Sequence, residues 1–541
     1  MAAIDINAFD GMQPVVDPIL LDSNKATLAR NVQLVSGTLA PLLGTTTLKA
    51  LTKTAPKTVW RFGTSNVETE YWLEFLEDTD VINSPLPNDQ WARVYWADGV
   101  KPKYAPSSVF LTGSSYPGAS YDLGIPAPTN TPTVSGTAPT VASQGETRTL
   151  VETFVSAYGE EGPPGPAAVG VVVDPAQAVT YANLTPAPTG NHNLTLRRLY
   201  RSSTVGSNAQ FQFVDEIPVA QTTYTDTKLQ AALGEILPSE LWAAPPDGLK
   251  SLKMMDSGAC VGFVGNTVHF SEPNLPHAWP HKYPIEFQIV GLGVFGQTVV
   301  ALTNSFPVAL TGVDPSAMTP GRMQLPQSCV SKTSIVDTGD GVLYASPDGL
   351  VSIGSGGMSV ITQKYATRKQ WQELNPSSFK AFVHEGRYIA LFTKADSTRG
   401  ILILDFSGTG PFWTVSDLNA TTAITGGYSD NRTDTLYLAQ GTSLVRYNQG
   451  NPLTATWRSK TYRMGSPLNL GWAAINAKAY PVTLTVTADG DQTDQITVSD
   501  ELPFRLSSGF KARDWTVQLS GATEVTRLRM ATSMDELKAL P

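Results

Sequence analysis

The sequence predicts an all-β protein: a β-propeller with an inserted β-sandwich and a C-terminal β-sandwich. Three observations predict it. From Gly258 to Thr362, short apolar runs alternate with Gly, Asp, Asn and Pro punctuation, the pattern of short strands joined by tight turns. The runs reverse at turn pairs such as Gly265-Asn266, Gly296-Gln297 and Asp348-Gly349, so small antiparallel sheets follow one another in series, as propeller blades do. The 45 Gly and 39 Pro supply the turns such a chain needs, and helical heptads are nearly absent.

A chain of 541 residues exceeds one hydrophobic core and divides into several domains. Residues 1–125 read as an N-terminal arm with the first propeller strands. Within it, Asp22–Asn31 is a short helix candidate with Asp22 or Ser23 as N-cap, and Val32–Pro41 is a hairpin turning at Ser36-Gly37. Pro126–Pro139 is a Pro/Thr/Ser linker with nothing to bury. It opens an inserted β-sandwich over 126–245, whose clearest strands are Thr147–Tyr158, Leu194–Arg201 and Gln210–Val214. Residues 246–455 hold the main propeller, with a hairpin over 379–393 turning at Glu385-Gly386 and strands at Gly400–Phe406 and Pro411–Val415. Residues 456–541 form the C-terminal sandwich of longer alternating strands.

Composition bounds the function. Hydrophobic residues at 41% and charged residues at 16% describe a folded chain, not a solvated disordered one. A net charge of -9 argues against gripping nucleic acid through its phosphates, while it leaves open a wall that DNA slides past, a role that needs weak binding. Cys260 and Cys329 read as buried small hydrophobes. The Met1–Asn7 start lacks the basic and apolar regions of a signal peptide, and no 18-residue apolar run offers a membrane span.

No constellation compels chemistry. His269, His277 and His281 cluster, but Pro276 and Pro280 break the helix that would align the last two on a metal. The reading is a loop buttressing a blade edge around Trp279. Ser271-Glu272 beside His269 alternates faces along a strand and turn, so a catalytic relay fails. Gly354-Ser355-Gly356-Gly357 lacks nucleophile-elbow spacing, and Gly291–Gly296 matches a dinucleotide loop by letter but leads into a strand. Asp337, Asp340 and Asp348 sit in turns, and Arg197, Arg198 and Arg201 read as a solvated strand face. No catalytic, cofactor or metal residue is assigned.

Two resemblances add to this. Phe154–Pro164, Arg198–Ser203, Phe213-Val214 and Tyr224–Asp226 resemble pieces of a fibronectin type III domain in permuted order, so the insert is fibronectin-like. Leu20–Pro41, Gly262–Pro280, Gln327–Ser331, Tyr344–Val351 and Trp457–Lys460 resemble the tail nozzle (tail-hub, tail tubular B-like) proteins of short-tailed double-stranded DNA bacteriophages. The family-motif residues are Ser271, Glu272, Pro273, Trp279 and Pro280, with Tyr344, Ser346, Pro347, Asp348 and Gly349. Their expected role is structural.

The second resemblance implies a virion protein without enzymatic activity, made in the host bacterial cytoplasm. Such nozzles form a hexameric ring under the adaptor ring docked on the portal. The ring continues the DNA channel, retains the genome and conducts it during ejection, and a tail needle or tail fibres attach below. The alternatives are a propeller-based glycan-active enzyme, which needs converging carboxylates or a His/Arg group, and a carbohydrate-binding adhesin, which needs exposed Trp-lined sites.

Overall fold

The computed structural model describes residues 3–205, 208–406 and 412–540. Met1, Ala2 and Pro411, which entered the sequence expectations above, lie outside the described residues. Strands dominate; among the described residues the α-helices are Ser107–Phe110, Arg368–Gln372 and Met534–Lys538. The chain is all-β, and it divides into two compact units.

One unit comprises Thr79–Ala301 and Val308–Gly321. It is built on four-stranded sheets in which sequence neighbours are also sheet neighbours, the pattern of a propeller blade. The first holds Asp80–Asn83, Val94–Ala97, Lys103–Ala105 and Tyr121–Asp122, and the second Lys250–Met254, Cys260–Val264, Thr267–Phe270 and His281–Pro284. The third runs from Ile289–Phe295 through Thr298–Thr303 and Val308–Thr311 to Thr319–Arg322. Phe263, Val268, Phe270, Leu292, Val299 and Leu310 form one core beneath the last two.

Between the first and second sheets the chain leaves to build the inserted sandwich. Thr133–Gly136, Val179–Ala182 and Tyr224–Asp226 form one three-stranded sheet, and Leu150–Ser156, Leu194–Val205 and Asn208–Pro218 another. Leu150, Val173, Tyr181, Leu199 and Val214 fill the space between them. The expected linker over 126–139 is corrected in part: Thr133–Gly136 pairs antiparallel with Val179–Ala182 and is a strand of the sandwich.

The solvated-face reading of the arginines is also corrected. Arg197 and Arg201 are fully buried, because strand alternation puts them on the same inner face as Leu199. Arg197 meets Glu152 at 2.5 Å, and Arg201 pairs with Asp226, which also faces Arg148. Only Arg198 reaches the surface, where it bonds Glu161 and Glu216, each at 2.8 Å. Replacing Glu152 with Ala strands the Arg197 charge in the core, with an expected loss of about 3–5 kcal/mol. A double Glu152→Leu, Arg197→Met variant is expected to recover most of it; denaturant titration of both variants checks this.

The second unit takes the described residues of Met1–Asp78, Leu302–Pro307 and Arg322–Pro541. Val336–Asp337, Gly341–Ser346, Gly349–Gly354 and Gly357–Val360 make one blade-like sheet. In the next, Lys380–His384, Arg387–Thr393, Arg399–Asp405 and Phe412–Ser416 follow in order. The last, Ile424–Asp430, Thr435–Gln440 and Ser443–Arg446, receives its fourth strand from Thr46–Ala50 near the other end of the sequence.

The C-terminal sandwich borrows from the same end. One sheet orders Ala455–Ser459, Ala512–Gly521, Val482–Ala488 and Gln492–Val498, and Ala26–Arg30 joins it to the blade ending at Phe412–Ser416. The facing sheet holds Phe504–Arg505, Trp472–Ala477 and Val525–Ala531, with Ala3–Ile6 at its edge. Trp457, Leu484, Trp515 and Leu519 share a core with Ile4, Ile6, Ile475 and Leu528.

The helix expected at Asp22–Asn31 is therefore a turn and a strand. Lys25 N–H bonds Asp22 O at 3.1 Å, and Ala26–Arg30 then pairs with Ala455–Ser459. Tertiary strand pairing outweighs the local helical pattern over so few residues. The hairpin expected over Val32–Pro41 is present: Val32–Gln33 pairs with Ala40–Pro41, and Gly37 adopts φ +78°.

Candidate functional site

The family-motif residues build two turns, one in each unit. In the first, Ser271 is buried, and its Oγ accepts from Cys260 N at 2.8 Å and donates to Glu272 O at 2.9 Å. Glu272 N–H bonds Ala278 O at 2.8 Å, which closes the loop, and its carboxylate lies 3.2 Å from His281 Nε2. Trp279 is buried with Tyr95, Tyr104, Leu252 and Cys260, and its indole N–H donates to Pro276 O at 2.7 Å. Pro273 and Pro280 bracket this loop and are half-buried. The loop also needs Gly258, whose φ is +79° and where a Cβ would stand 2.3 Å from Asn274 Oδ1.

In the second turn, Tyr344 and Ser346 are buried and both act on Gln327. Tyr344 Oη donates to Gln327 O at 2.6 Å, and Ser346 Oγ to Gln327 Oε1 at 2.8 Å. Gln327 Nε2 completes the ring to Asp348 Oδ2 at 2.9 Å, and Arg368 Nε lies 3.2 Å from the other carboxylate oxygen. Trp371 Nε1 donates to Ser346 O at 2.8 Å, and Gln372 Nε2 to Pro347 O. At Gly349 (φ +153°) a Cβ would sit 2.3 Å from Thr362 Oγ1 and 2.7 Å from Val360 Cγ1, so this turn closes on the end of the strand Gly357–Val360 and the turn after it only with glycine. In both turns the polar side-chain atoms are largely engaged in holding the turn.

The three histidines do not converge on a metal. His269 stands opposite Lys282 in the sheet, His281 pairs with Glu272, and His277 is buried against Trp242. Among the described residues, no group of three or more His, Cys, Asp or Glu is placed to hold a metal ion. A groove of about 510 Å³ on the C-terminal sandwich is lined by Thr27, Thr485, Thr487, Thr516, Gln518 and Arg458, without a carboxylate. Cys260 and Cys329 are buried and unpaired, and burial pushes both thiols up to about 12. Among the described residues, no helix is long and apolar enough to cross a membrane.

Sequence reasoning missed a third feature, the seam between the inserted sandwich and its neighbouring sheets. Glu160, in the turn after Leu150–Ser156, accepts from Arg93 Nη1 at 2.6 Å, while Arg93 Nε donates to Asp89 Oδ2 at 2.8 Å. Arg93 also stacks on Trp91, 4.9 Å from the ring centre. The returning segment packs Trp242 edge-on against His277, and Ala243 O accepts from Trp279 N at 2.7 Å. The motif turn at Ser271–Pro280 is thus the surface on which the insertion re-enters. No spacing signal links Arg93, Glu160 and His277, which lie far apart in the chain.

The described residues define an all-β protein of blade-like sheets with an inserted and a C-terminal sandwich. No protein-family model matches the chain, and no curated protein matches it in sequence. Solved structures that share distant likeness include a chain of the mitotic checkpoint complex, with 10% identity and TM-score 0.27 over 68% of this chain and 92% of that one. The N-terminal domain of Nup159 shows 10% identity and TM-score 0.27 over 60% and 86%. An exo-β-1,3-galactanase from Phanerochaete chrysosporium shows 8% identity and TM-score 0.19 over 54% and 98%. At these scores none carries an argument about function.

Burial, with the Arg93 charge nearby, pushes the His277 imidazole from 6.5 down to about 4. The fold therefore favours the neutral ring. Its stabilising share is present above pH 6.5 and is lost as pH falls from 6.5 towards 4. Burial raises the Glu160 carboxyl, which acts with the opposite sign, so the histidine must be isolated by substitution. The stability of wild type relative to His277→Gln is expected to fall by on the order of 3 kcal/mol across that interval. Denaturant titrations at several pH values read it, and a pH-independent difference contradicts it.

Proposed function

We propose that this chain is a structural component of a short bacteriophage tail, a nozzle subunit that assembles into a hexameric ring. In this reading the ring sits below the adaptor and portal and continues the channel for double-stranded DNA. It retains the genome and conducts it during ejection, and a needle or fibres attach beneath. The chain is catalytically silent and works within the virion.

The observation that supports this reading most is the use made of the motif residues. Ser271, Glu272, Trp279, Tyr344, Ser346 and Asp348 direct their polar atoms at neighbours within the protein, as parts of a stiff frame do. The net charge of -9 is compatible with a bore that passes DNA without binding it. Native mass spectrometry and negative-stain imaging of the purified chain, alone and mixed with an adaptor ring, test the proposal. Six-fold hollow rings are the expected result. A chain that stays monomeric in both conditions and cleaves glycans contradicts it.

A further inference from the structure

The seam around Glu160 encloses more polar atoms than it has protein partners for. Two carboxylates, Asp89 and Glu160, share the single guanidinium of Arg93, and all three side chains are at most 7% exposed. Ser156 Oγ adds a bond to Glu160 Oε2 at 3.2 Å. Beside them, His277 Nδ1 stands 4.0 Å from Glu160 Oε1, beyond hydrogen-bond reach, and among the described residues neither ring nitrogen has a hydrogen-bond partner. Among the described residues the Tyr95 hydroxyl is equally without one, although its side chain is fully buried. The Tyr104 hydroxyl engages Glu160, and Tyr95 stacks on Tyr104 with ring centroids 5.8 Å apart, which brings Tyr95 into the same neighbourhood.

Buried polar atoms are almost always hydrogen-bonded, and leaving one unmade costs about 1–3 kcal/mol. Three such atoms, the two His277 ring nitrogens and the Tyr95 hydroxyl, in the neighbourhood of one carboxylate form the kind of site that internal water occupies, since a buried water makes about three hydrogen bonds to otherwise unsatisfied groups. A separation of 4.0 Å between two polar atoms also suits a bridging water better than direct contact. A metal ion fits poorly, because Arg93 already occupies Glu160 and, among the described residues, no group of three His, Cys, Asp or Glu gathers here.

We propose that this seam is a hydrated polar joint, in which ordered water links the His277 imidazole and the Tyr95 hydroxyl to the Glu160 carboxyl group. The joint lies where both approaches of the insertion meet the adjoining sheets: Glu160 comes from within the sandwich and Trp242, against His277, from its returning segment. Bound water there fixes the sandwich as a rigid mount. The inference rests on burial and geometry alone and stands or falls independently of the nozzle proposal.

A high-resolution crystal structure of the full-length wild-type chain, with thermal melts of Tyr95→Phe, tests it. Water within hydrogen-bonding distance of His277 and the Tyr95 hydroxyl is expected. The phenylalanine variant is expected to melt below wild type, because the water loses a partner. A dry seam overturns the proposal, and so does a phenylalanine variant that melts at or above wild type, because removing a truly unpaired hydroxyl relieves a penalty. The wild-type density decides the matter even where a variant folds poorly.

Discussion

Backbone pairing between the first strands of the chain and the last is the constraint on which the larger unit depends. Thr46–Ala50 completes the sheet of Ser443–Arg446, Ala26–Arg30 pairs with Ala455–Ser459, and Ala3–Ile6 pairs with Val525–Ala531. Each exchange covers a strand edge that would otherwise present unpaired N–H and C=O groups. Together they tie a blade and both sheets of the C-terminal sandwich to one short N-terminal segment. Asn31 reinforces the tie: its Nδ2 donates to Asp417 Oδ1 at 2.7 Å, and its Oδ1 accepts from Ser416 Oγ at 2.8 Å. Contacts so remote in sequence carry the loop-closure cost that slows folding.

The same economy governs the polar interior. The motif turns satisfy their hydroxyls, amides and carboxylates through neighbours such as Gln327 and the Cys260 amide. The inserted sandwich carries arginines in its core only because Glu152 and Asp226 neutralise them there. At the seam, Arg93 does for Glu160 and Asp89 what those carboxylates do for the arginines. These arrangements fix positions locally within each unit. Such stiffness suits a protein whose work is to hold a shape, and it is the physical link between these sites and the proposed role.

What the sequence discloses is local. The turn at Glu385-Gly386 is legible because two residues with positive φ, +49° and +71°, are what a tight hairpin requires, and His384 stands opposite Arg387 as that turn demands. The alternation of Val482–Ala488 is legible because one face is buried and the other is not. The short helix at Arg368–Gln372 carries a readable signal in the Thr367/Gln370 capping box, but its brevity hides it among strands. The N-terminal strands and the buried arginines are not legible, because their partners lie hundreds of residues away or across a sandwich. The motif residues read as structural, yet nothing in their spacing reveals Gln327 or Ala243 as their partners.

Amide hydrogen exchange on the full chain tests the central claim, that the chain's two ends clasp each other. The account predicts that amides of Ala26–Arg30 and Thr46–Ala50 exchange as slowly as those of their partners in Ala455–Ser459 and Ser443–Arg446. N-terminal strands that exchange freely while those partners stay protected would contradict it.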